Sequence, residues 1–441
     1  MQALTGDLGT YGGPMTDAMK LAIKEANENG GVLNRTIEAI IEDTETSEVA
    51  ANVAANKLVN VDKVPVIIGT TSSGPSMAII DITTGNGVIQ ISSSNTAPDF
   101  TTYEDNDLYF RTAPSDSLQG KAMARLAIEK GYINVSTIVV NNPYGVGFEE
   151  VFVKEFEDLG GTVLDTVKYD STATILDSEV EDVARHDPEF VMLCSYPETG
   201  SIILKTAYEK GYMEDIDWLL SEGLRDETLA ESVGKDEDDN YIVAGLIGTT
   251  PDPRVAGPAY ESFKDKFASE YEKEPTTYCS NSYDAVAVVI LAIEKAGNAT
   301  GTDIRDSIRE IANAPGEEVT DIGEALKLIR EGKDINYQGA SGEITFDENG
   351  DVLGSYAEWS IADNGSIVFA DPIDLEGPVA TPAPEPEPAD EEPTVITEEP
   401  ETGMEETEPE DMEVPTSGFE AVFAISGLLA FAYLVSRRRR F

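Results

Sequence analysis

The chain has 441 residues, with 84 Asp and Glu against 30 Lys and Arg, for a formal charge of −54. That balance excludes a nucleic-acid binder, which needs cationic side chains to meet phosphate. It suits a surface that stays soluble where salt screens self-repulsion, and so points to a salt-loving source. Residues 376–416 hold 15 of the acids and no base, yet residues 1–375 still carry 68 acids against 26 bases. The excess therefore belongs to the folded part as well. Two cysteines, Cys194 and Cys279, are too few for a disulfide scaffold and read as separate buried thiols. The single histidine, His186, follows a helix and reads as its C-terminal cap. One histidine leaves little material for a His metal site or a Ser–His–Asp triad.

Residues 1–5 read as the end of a first strand, and 6–13 as the loop at its carboxyl end. Residues 14–29 form an amphipathic helix, with Pro14 at its start and Gly30 and Gly31 beyond its end. A strand over 35–42 and an Ala/Val-rich helix over 46–60 follow. The central stretch is 65–98: strand 66–69, loop 70–74, helix 75–84, strand 88–92, loop 93–98. Both strands are short apolar runs that end in small hydroxylated residues. In a parallel sheet both loops leave at the carboxyl edge, where open α/β sheets bind ligands. Backbone N–H groups, hydroxyls and a helix N-terminus there suit a carboxylate.

The strand 107–114 and a helix from Ser115 to about Lys130 complete this unit. A second unit then repeats the pattern, with strands 136–141, 162–168, 190–194, 217–220 and 241–247, helices 148–159 and 175–185, and a further helix that follows the loop 195–200 and reaches Lys210. The βαβα alternation predicts parallel sheets with right-handed crossovers. Helices over 255–271, 280–296 and 302–313 precede an alternating, antiparallel region over 337–369. Its segment DENGDVLGSYAE (347–358) spaces oxygen ligands as a calcium loop does, but Val352 stands where glycine is needed, so a β-turn is expected. No nucleophile–base pair, Gly-rich phosphate fingerprint or metal cluster is present in the pattern. The chain therefore reads as a binding protein without cofactor or metal, not as an enzyme.

Residues 376–416, rich in Pro, Glu and Thr, cannot bury a core and read as an extended linker. Residues 418–435 are an apolar run with one Glu, at the short end for a membrane span. Four arginines follow and place that end in the cytoplasm, with the folded part outside. Asn34, Asn134, Asn298 and Asn364 each begin an Asn-x-Ser/Thr site.

The stretches LTGDLGTYGGP, GTTSSGPSMA, ISSSNTAP, YFRTAPSDSLQG, NNPYGVGF, SYPETG, SEG (221–223) and FDENGD occur in this order. Residues 1–372 thereby resemble the type I periplasmic-binding-fold proteins, specifically the branched-chain amino acid (Leu/Ile/Val) receptors of ABC importers. The resemblance implies two Rossmann-like α/β lobes with parallel sheets, joined by three crossings, that close on a ligand by hinge motion. Lobe one is expected over 1–117 and 250–330, and lobe two over 118–249 and 331–372. The crossings would fall near 113–118, 249–253 and 330–338. A linker over 373–417 and a transmembrane anchor or sorting signal over 418–441 would follow.

Carried over by position, Ser73 and Thr96, with the backbone around Thr71, Ser72 and Ser94, would hold an α-carboxylate. Glu222 would take the α-ammonium, and Tyr11, Tyr144 and Tyr196 would wall the side chain. A zwitterion needs donors on one side and an acceptor on the other, because an unpaired buried charge is costly. Asn95 and the pair Ser93 and Ser94 depart from smaller and more apolar family residues and imply a more polar pocket. The last residues resemble the archaeal C-terminal sorting signal, with Ser417, Gly418 and Phe419 where that signal has Pro-Gly-Phe. The expected protein is a monomeric, extracellular, membrane-tethered receptor that delivers an amino acid to an ABC permease. The alternative is a sensing domain for an amide or small organic acid that acts on a signalling partner.

Overall fold

The computed structural model describes residues 1–377 and Val379. Its elements run α1 (Gly9–Glu28), α2 (Glu48–Lys57), β1 (Val66–Ile68), α3 (Ser73–Thr84), β2 (Ile89–Ser92) and β3 (Tyr109–Arg111). Next come α4 (Asp116–Glu129), β4 (Asn134–Val140), α5 (Pro143–Asp158), β5 (Thr162–Tyr169), α6 (Asp177–Ala184), β6 (Phe190–Cys194), α7 (Pro197–Glu209), β7 (Asp217–Leu220), α8 (Leu229–Val233) and β8 (Ile247–Pro251). The chain then returns through α9 (Pro258–Tyr271), α10 (Cys279–Ala296), α11 (Gly301–Ala312), β9 (Glu317–Val319), α12 (Ile322–Arg330), β10 (Ile335–Gly339) and β11 (Gly342–Glu343). It ends on β12 (Tyr356–Ile361) and β13 (Ile367–Ile373). Polar side chains set several helix starts: Ser47, Ser115, Asn142, Thr300 and Asp321 each accept an N–H from the first turn.

Three sheets result. β1, β2 and β3 are parallel in that order, and β11, β10 and β9 form a small mixed sheet. The third has seven strands, in the order β13-β12-β8-β7-β6-β4-β5. Its strands β8 to β5 are parallel, while β12 and β13 add an antiparallel edge. Two large cores follow. One packs Ile138, Val139, Phe152, Phe190, Leu193 and Trp359 around the seven-stranded sheet. The other packs Ala18, Ile89, Phe110, Val288, Leu291 and Tyr337 around α10. The chain crosses between these α/β halves after β3, after β8 and between β11 and β12.

The structure departs from the expected elements in four places. α1 starts at Gly9 rather than at Pro14, so the presumed loop is the first turn of a helix and Pro14 lies inside it. Gly12 permits this, because a Cβ there would lie 1.9 Å from the Ala3 carbonyl oxygen. The strand expected over 35–42 is reduced to isolated bridges at its ends, Val32–Arg35 and Gln2–Asp43, and Ile40 and Ile41 stay exposed. The strand placed at 241–247 is shifted onward to β8, because residues 241–246 form turns closed by Ala244 N–H to the Tyr241 carbonyl and Leu246 N–H to the Val243 carbonyl. The fourth difference bears on the hinge. β10 pairs with β9 and buries Ile335 and Tyr337 in the α10 core, so residues 331–344 belong with the first half. The third crossing accordingly spans about residues 346–355, not 330–338. His186 caps no helix; its Nδ1 lies 2.5 Å from Asp165 Oδ2. Cys194 and Cys279 are free and buried. The expected linker beyond 379 and the apolar run at 418–435 lie outside the described residues.

Candidate functional site

β1 and β2 run parallel, so the loops 69–72 and 93–97 leave the sheet on one edge, as the hydroxyl-rich sequences suggested. The loops are tied to each other. Ser92 Oγ donates to the Thr70 carbonyl (3.1 Å), Ser94 Oγ to the Thr71 carbonyl (2.8 Å) and Asn95 Nδ2 to the Thr70 carbonyl (2.9 Å). Thr71 Oγ1 donates to Gln2 Oε1 (2.8 Å) and accepts from Ala3 N–H (2.9 Å). The Thr71 and Ser94 hydroxyls therefore serve the scaffold. Ser73 Oγ accepts from Ala97 N–H (3.4 Å) and keeps its own proton to give. α3 opens here without a side-chain cap, which leaves its first N–H groups and its positive dipole end facing the site.

The second half supplies the opposite wall from the ends of β4, β6 and β7. Tyr144 lies in the first turn of α5, Tyr196 just ahead of α7, and Glu222 two residues past β7. The Tyr144 and Tyr196 rings stack at 5.5 Å with 9° between their planes. The Glu222 carboxylate is 3 % exposed and fully engaged. Oε2 accepts from Gln119 Nε2 (2.9 Å) and lies 3.0 Å from the Tyr144 hydroxyl, while Oε1 accepts from the Tyr278 hydroxyl at 3.3 Å. Burial pushes its carboxyl up to about 7 against those hydrogen bonds, which pull it down. Behind it sits Asp116, fully buried, with neither carboxyl oxygen in a well-formed hydrogen bond. Burial, and next the Glu222 charge, raise Asp116 well above the usual carboxylate range, and the Thr96 side chain offsets only part of this. Burial thus pushes both carboxyls toward their neutral forms.

The halves touch directly. Ser72 Oγ lies 2.8 Å from the Tyr196 hydroxyl, and the Tyr11 hydroxyl lies 3.1 Å from the carbonyl oxygens of Glu222 and Arg225. Asp7 accepts from Glu198 N–H (2.9 Å) and from Thr199 Oγ1 (3.0 Å). Between them is a small cavity of about 20 Å³, room for one or two waters. Tyr11, Thr71, Ser72, Ser73, Ser94, Tyr144, Tyr196 and Glu222 line it, so eight of the nine residues singled out from the sequence converge. Thr96 does not. It is buried behind the loop, and its carbonyl accepts the Asp116 N–H at 2.8 Å.

Sequence reasoning missed Tyr278, Gln119 and Asp116. Gln119 and Asp116 lie in the stretch YFRTAPSDSLQG, so their signal was present but was assigned to a helix start. Tyr278 carried none. It precedes α10 with φ of 63°, a left-handed conformation that costs about 1–3 kcal/mol for a non-glycine residue, and this turns its hydroxyl toward Glu222. Gly223 is required beside it, because a Cβ would lie 2.4 Å from the Ser195 carbonyl oxygen.

This two-walled geometry has relatives. The family described as the receptor family ligand binding region matches residues 14–364. The chain belongs to this family. Its members are solute-binding receptors, not enzymes. The chain is 25 % identical to the chemotactic signal transduction system substrate-binding protein BasB of Halobacterium salinarum, over 77 % of this chain and 80 % of that one. It is 26 % identical to a leucine-, isoleucine-, valine-, threonine- and alanine-binding protein of Pseudomonas aeruginosa, over 69 % of this chain and 80 % of that one. Among solved structures, a leucine-binding protein, LivK, from Thermotoga maritima superposes with a TM-score of 0.72 and 27 % identity, over 85 % of this chain and 97 % of that one. The receptor fold is therefore the type I periplasmic-binding one. The PGF-CTERM motif matches residues 416–439, in agreement with the resemblance of the last residues to a C-terminal sorting signal.

Proposed function

We propose that the receptor binds an amino acid between its halves, outside the cell and tethered at its C-terminus, and hands it to an ABC permease. One observation carries the ligand class. A buried carboxylate, Glu222, faces an uncapped helix N-terminus and the Ser73 hydroxyl across an aromatic slot. An acceptor opposite donors is what an α-ammonium and an α-carboxylate on one carbon require. Ser72, Ser73 and the first turn of α3 hold the carboxylate; Glu222 holds the ammonium; Tyr11, Tyr144, Tyr196 and Tyr278 wall the side chain. The ligand bridges the halves and so favours the closed form, which the permease reads. Relatives that bind Leu, Ile and Val support a branched-chain ligand, and the PGF-CTERM match supports surface tethering. The salt-tolerant acidic surface and a monomeric state belong to the same reading.

A second reading is favoured by one finding: the BasB relative is a chemotaxis component. In that reading the closed form docks on a signalling partner instead of a permease. Calorimetric titration with amino acids, amides and organic acids tests the ligand class. Binding of leucine-like amino acids that is lost in Glu222→Ala supports the proposal; binding of amides alone, indifferent to Glu222, overturns it. Uptake of labelled leucine by cells lacking the gene, against swimming assays of the same cells, separates the two partners.

A further inference from the structure

Beyond the Tyr278 wall, where the three crossings meet, lies a second cavity of about 330 Å³. Thr112 and Pro114 come from the first crossing, Pro251 and Asp252 from the end of β8, and Leu353 from the third. Two charged groups in its wall have no counter-charge, the exposed Glu343 and the half-buried Arg225. Arg225 Nη1 donates to Thr277 Oγ1 at 2.7 Å, and its Nε is sealed from solvent with no acceptor. No carboxylate comes within ion-pair distance among the described residues.

The other cations below the surface are all matched. Arg111 has Asp351, Arg125 has the Asp374 and Gly377 carbonyls, and Arg309 has Asp107. Lys210, Lys264, Lys266, Lys295 and Arg305 each have an acid. Among the described residues, Arg225 alone of the non-exposed Lys and Arg lacks both a carboxylate and a carbonyl partner. In a fold with 68 acids against 26 bases this is an anomaly of placement, not of supply. Of the two lining acids, Asp252 is held by Arg254 through both oxygens, at 2.7 and 2.8 Å, and Glu343 accepts from Thr345 Oγ1 at 2.7 Å. Burial lowers Arg225 below its ordinary range, the mark of a desolvated cation. α10 starts beside it at Ser280 and Asn281 with no side-chain cap, adding a positive dipole end. The remaining wall is mixed: Tyr260, Ile344 and Val352 give an apolar patch, and Thr250, Thr276 and Ser341 are polar. A concave space that sets an apolar patch beside a few convergent polar groups is the usual build of a small-molecule site.

We infer that this hinge cavity is a second binding site, for a small organic carboxylic acid whose carboxylate pairs with Arg225 and whose hydrocarbon part lies against Pro114, Tyr260, Ile344 and Leu353. A planar guanidinium suits a carboxylate in two-point contact. The site is distinct from the amino-acid site: Tyr278 stands between them and lines both.

The test uses the full chain in detergent, titrated calorimetrically at constant ionic strength with 3-phenylpropionate and, as the neutral control, 3-phenylpropionamide. The acid is expected to bind saturably and the amide not. Arg225→Gln is expected to weaken the acid by roughly tenfold or more, the scale of a lost charged hydrogen bond. Glu222→Ala, which disables the proposed amino-acid site, is expected to leave acid binding within about twofold of the unmutated protein, so failure of one reading is not failure of the other. Equal binding to Arg225→Gln, or none to the unmutated protein, overturns the inference. Should Arg225→Gln fold poorly, crystals of the unmutated protein with 3-(4-bromophenyl)propionate decide it. A bromine anomalous peak beside Arg225 supports the site, and a peak beside Glu222 or no peak overturns it.

Discussion

Glu222 and Asp116 form a buried carboxyl pair in which burial raises both groups and each charge disfavours the other, and this makes the site sensitive to pH. An ammonium ligand meets the ionised form of Glu222, whose carboxyl sits at about 7. Affinity for leucine is therefore expected to fall by about tenfold per pH unit below 7, and Glu222→Gln to flatten that profile. The free protein moves the other way. Between the ordinary glutamate value of 4.5 and about 7, the folded state holds a proton that the unfolded state has released. Folding stability accordingly falls as pH rises through that window, and the melting temperature of Glu222→Gln is expected to fall less over the same range. An unchanged slope would sink the assignment. At this scale the sequence was legible where chemistry sits at strand ends, as with Ser73, Tyr144, Tyr196 and Glu222. It was not legible for Asp116, whose charge is decided by what surrounds it, nor for Tyr278, whose reach depends on a left-handed backbone.

Among the elements, the third crossing is held by one buried ion pair. Arg111 on β3 is fully buried and meets Asp351 through Nε–Oδ1 at 2.5 Å and Nη2–Oδ2 at 2.8 Å, and its Nη1 donates to the Ala97 carbonyl at 2.8 Å. The pair therefore ties the crossing to the loop behind the proposed ligand site. Asp351→Ala leaves a buried cation and is expected to cost roughly 3–5 kcal/mol in denaturant unfolding, with Arg111→Leu combined with Asp351→Leu recovering much of it. The calcium-like spacing of the DENGDVLGSYAE stretch reads here as a turn: Asp347 Oδ1 accepts the Asn349 and Asp351 N–H groups. Helices and buried strands were readable from period and caps. The strand at 35–42 was not realised, because a run gains ladder hydrogen bonds only from a neighbour, and just isolated bridges at its two ends are there. The placement of β10 was misread for a related reason. Its partner, β9, is three residues long and carries two glutamates, which gives no strand signal.

For the molecule as a whole, the acid excess sets how strongly surface charges repel at a given salt concentration. With 68 acids against 26 bases in residues 1–375, surface repulsion is long-ranged at low salt and short-ranged at high salt. Raising sodium chloride from about 0.1 to about 2 M is expected to raise the melting temperature, as the screening length shrinks from about 10 Å to a few ångströms. A flat response would show that repulsion does not limit stability. The two-half architecture was legible from the repeated alternation of strands and helices. The hinge was only partly so, since crossings are defined by which sheet each strand joins.

The chain has two tryptophans, Trp218 on β7 and Trp359 on β12, and both lie in the core of the seven-stranded sheet. Trp359 Nε1 donates to the Thr249 carbonyl (3.2 Å) near the end of β8, just before the second crossing. The protein thus carries a built-in optical probe on one side of its hinge, while the half around α10 is dark except for tyrosine. Intrinsic fluorescence will report closure through Trp359 and give a steady background from Trp218. Trp218→Phe should sharpen the ligand-dependent change in emission, and Trp359→Phe should erase it.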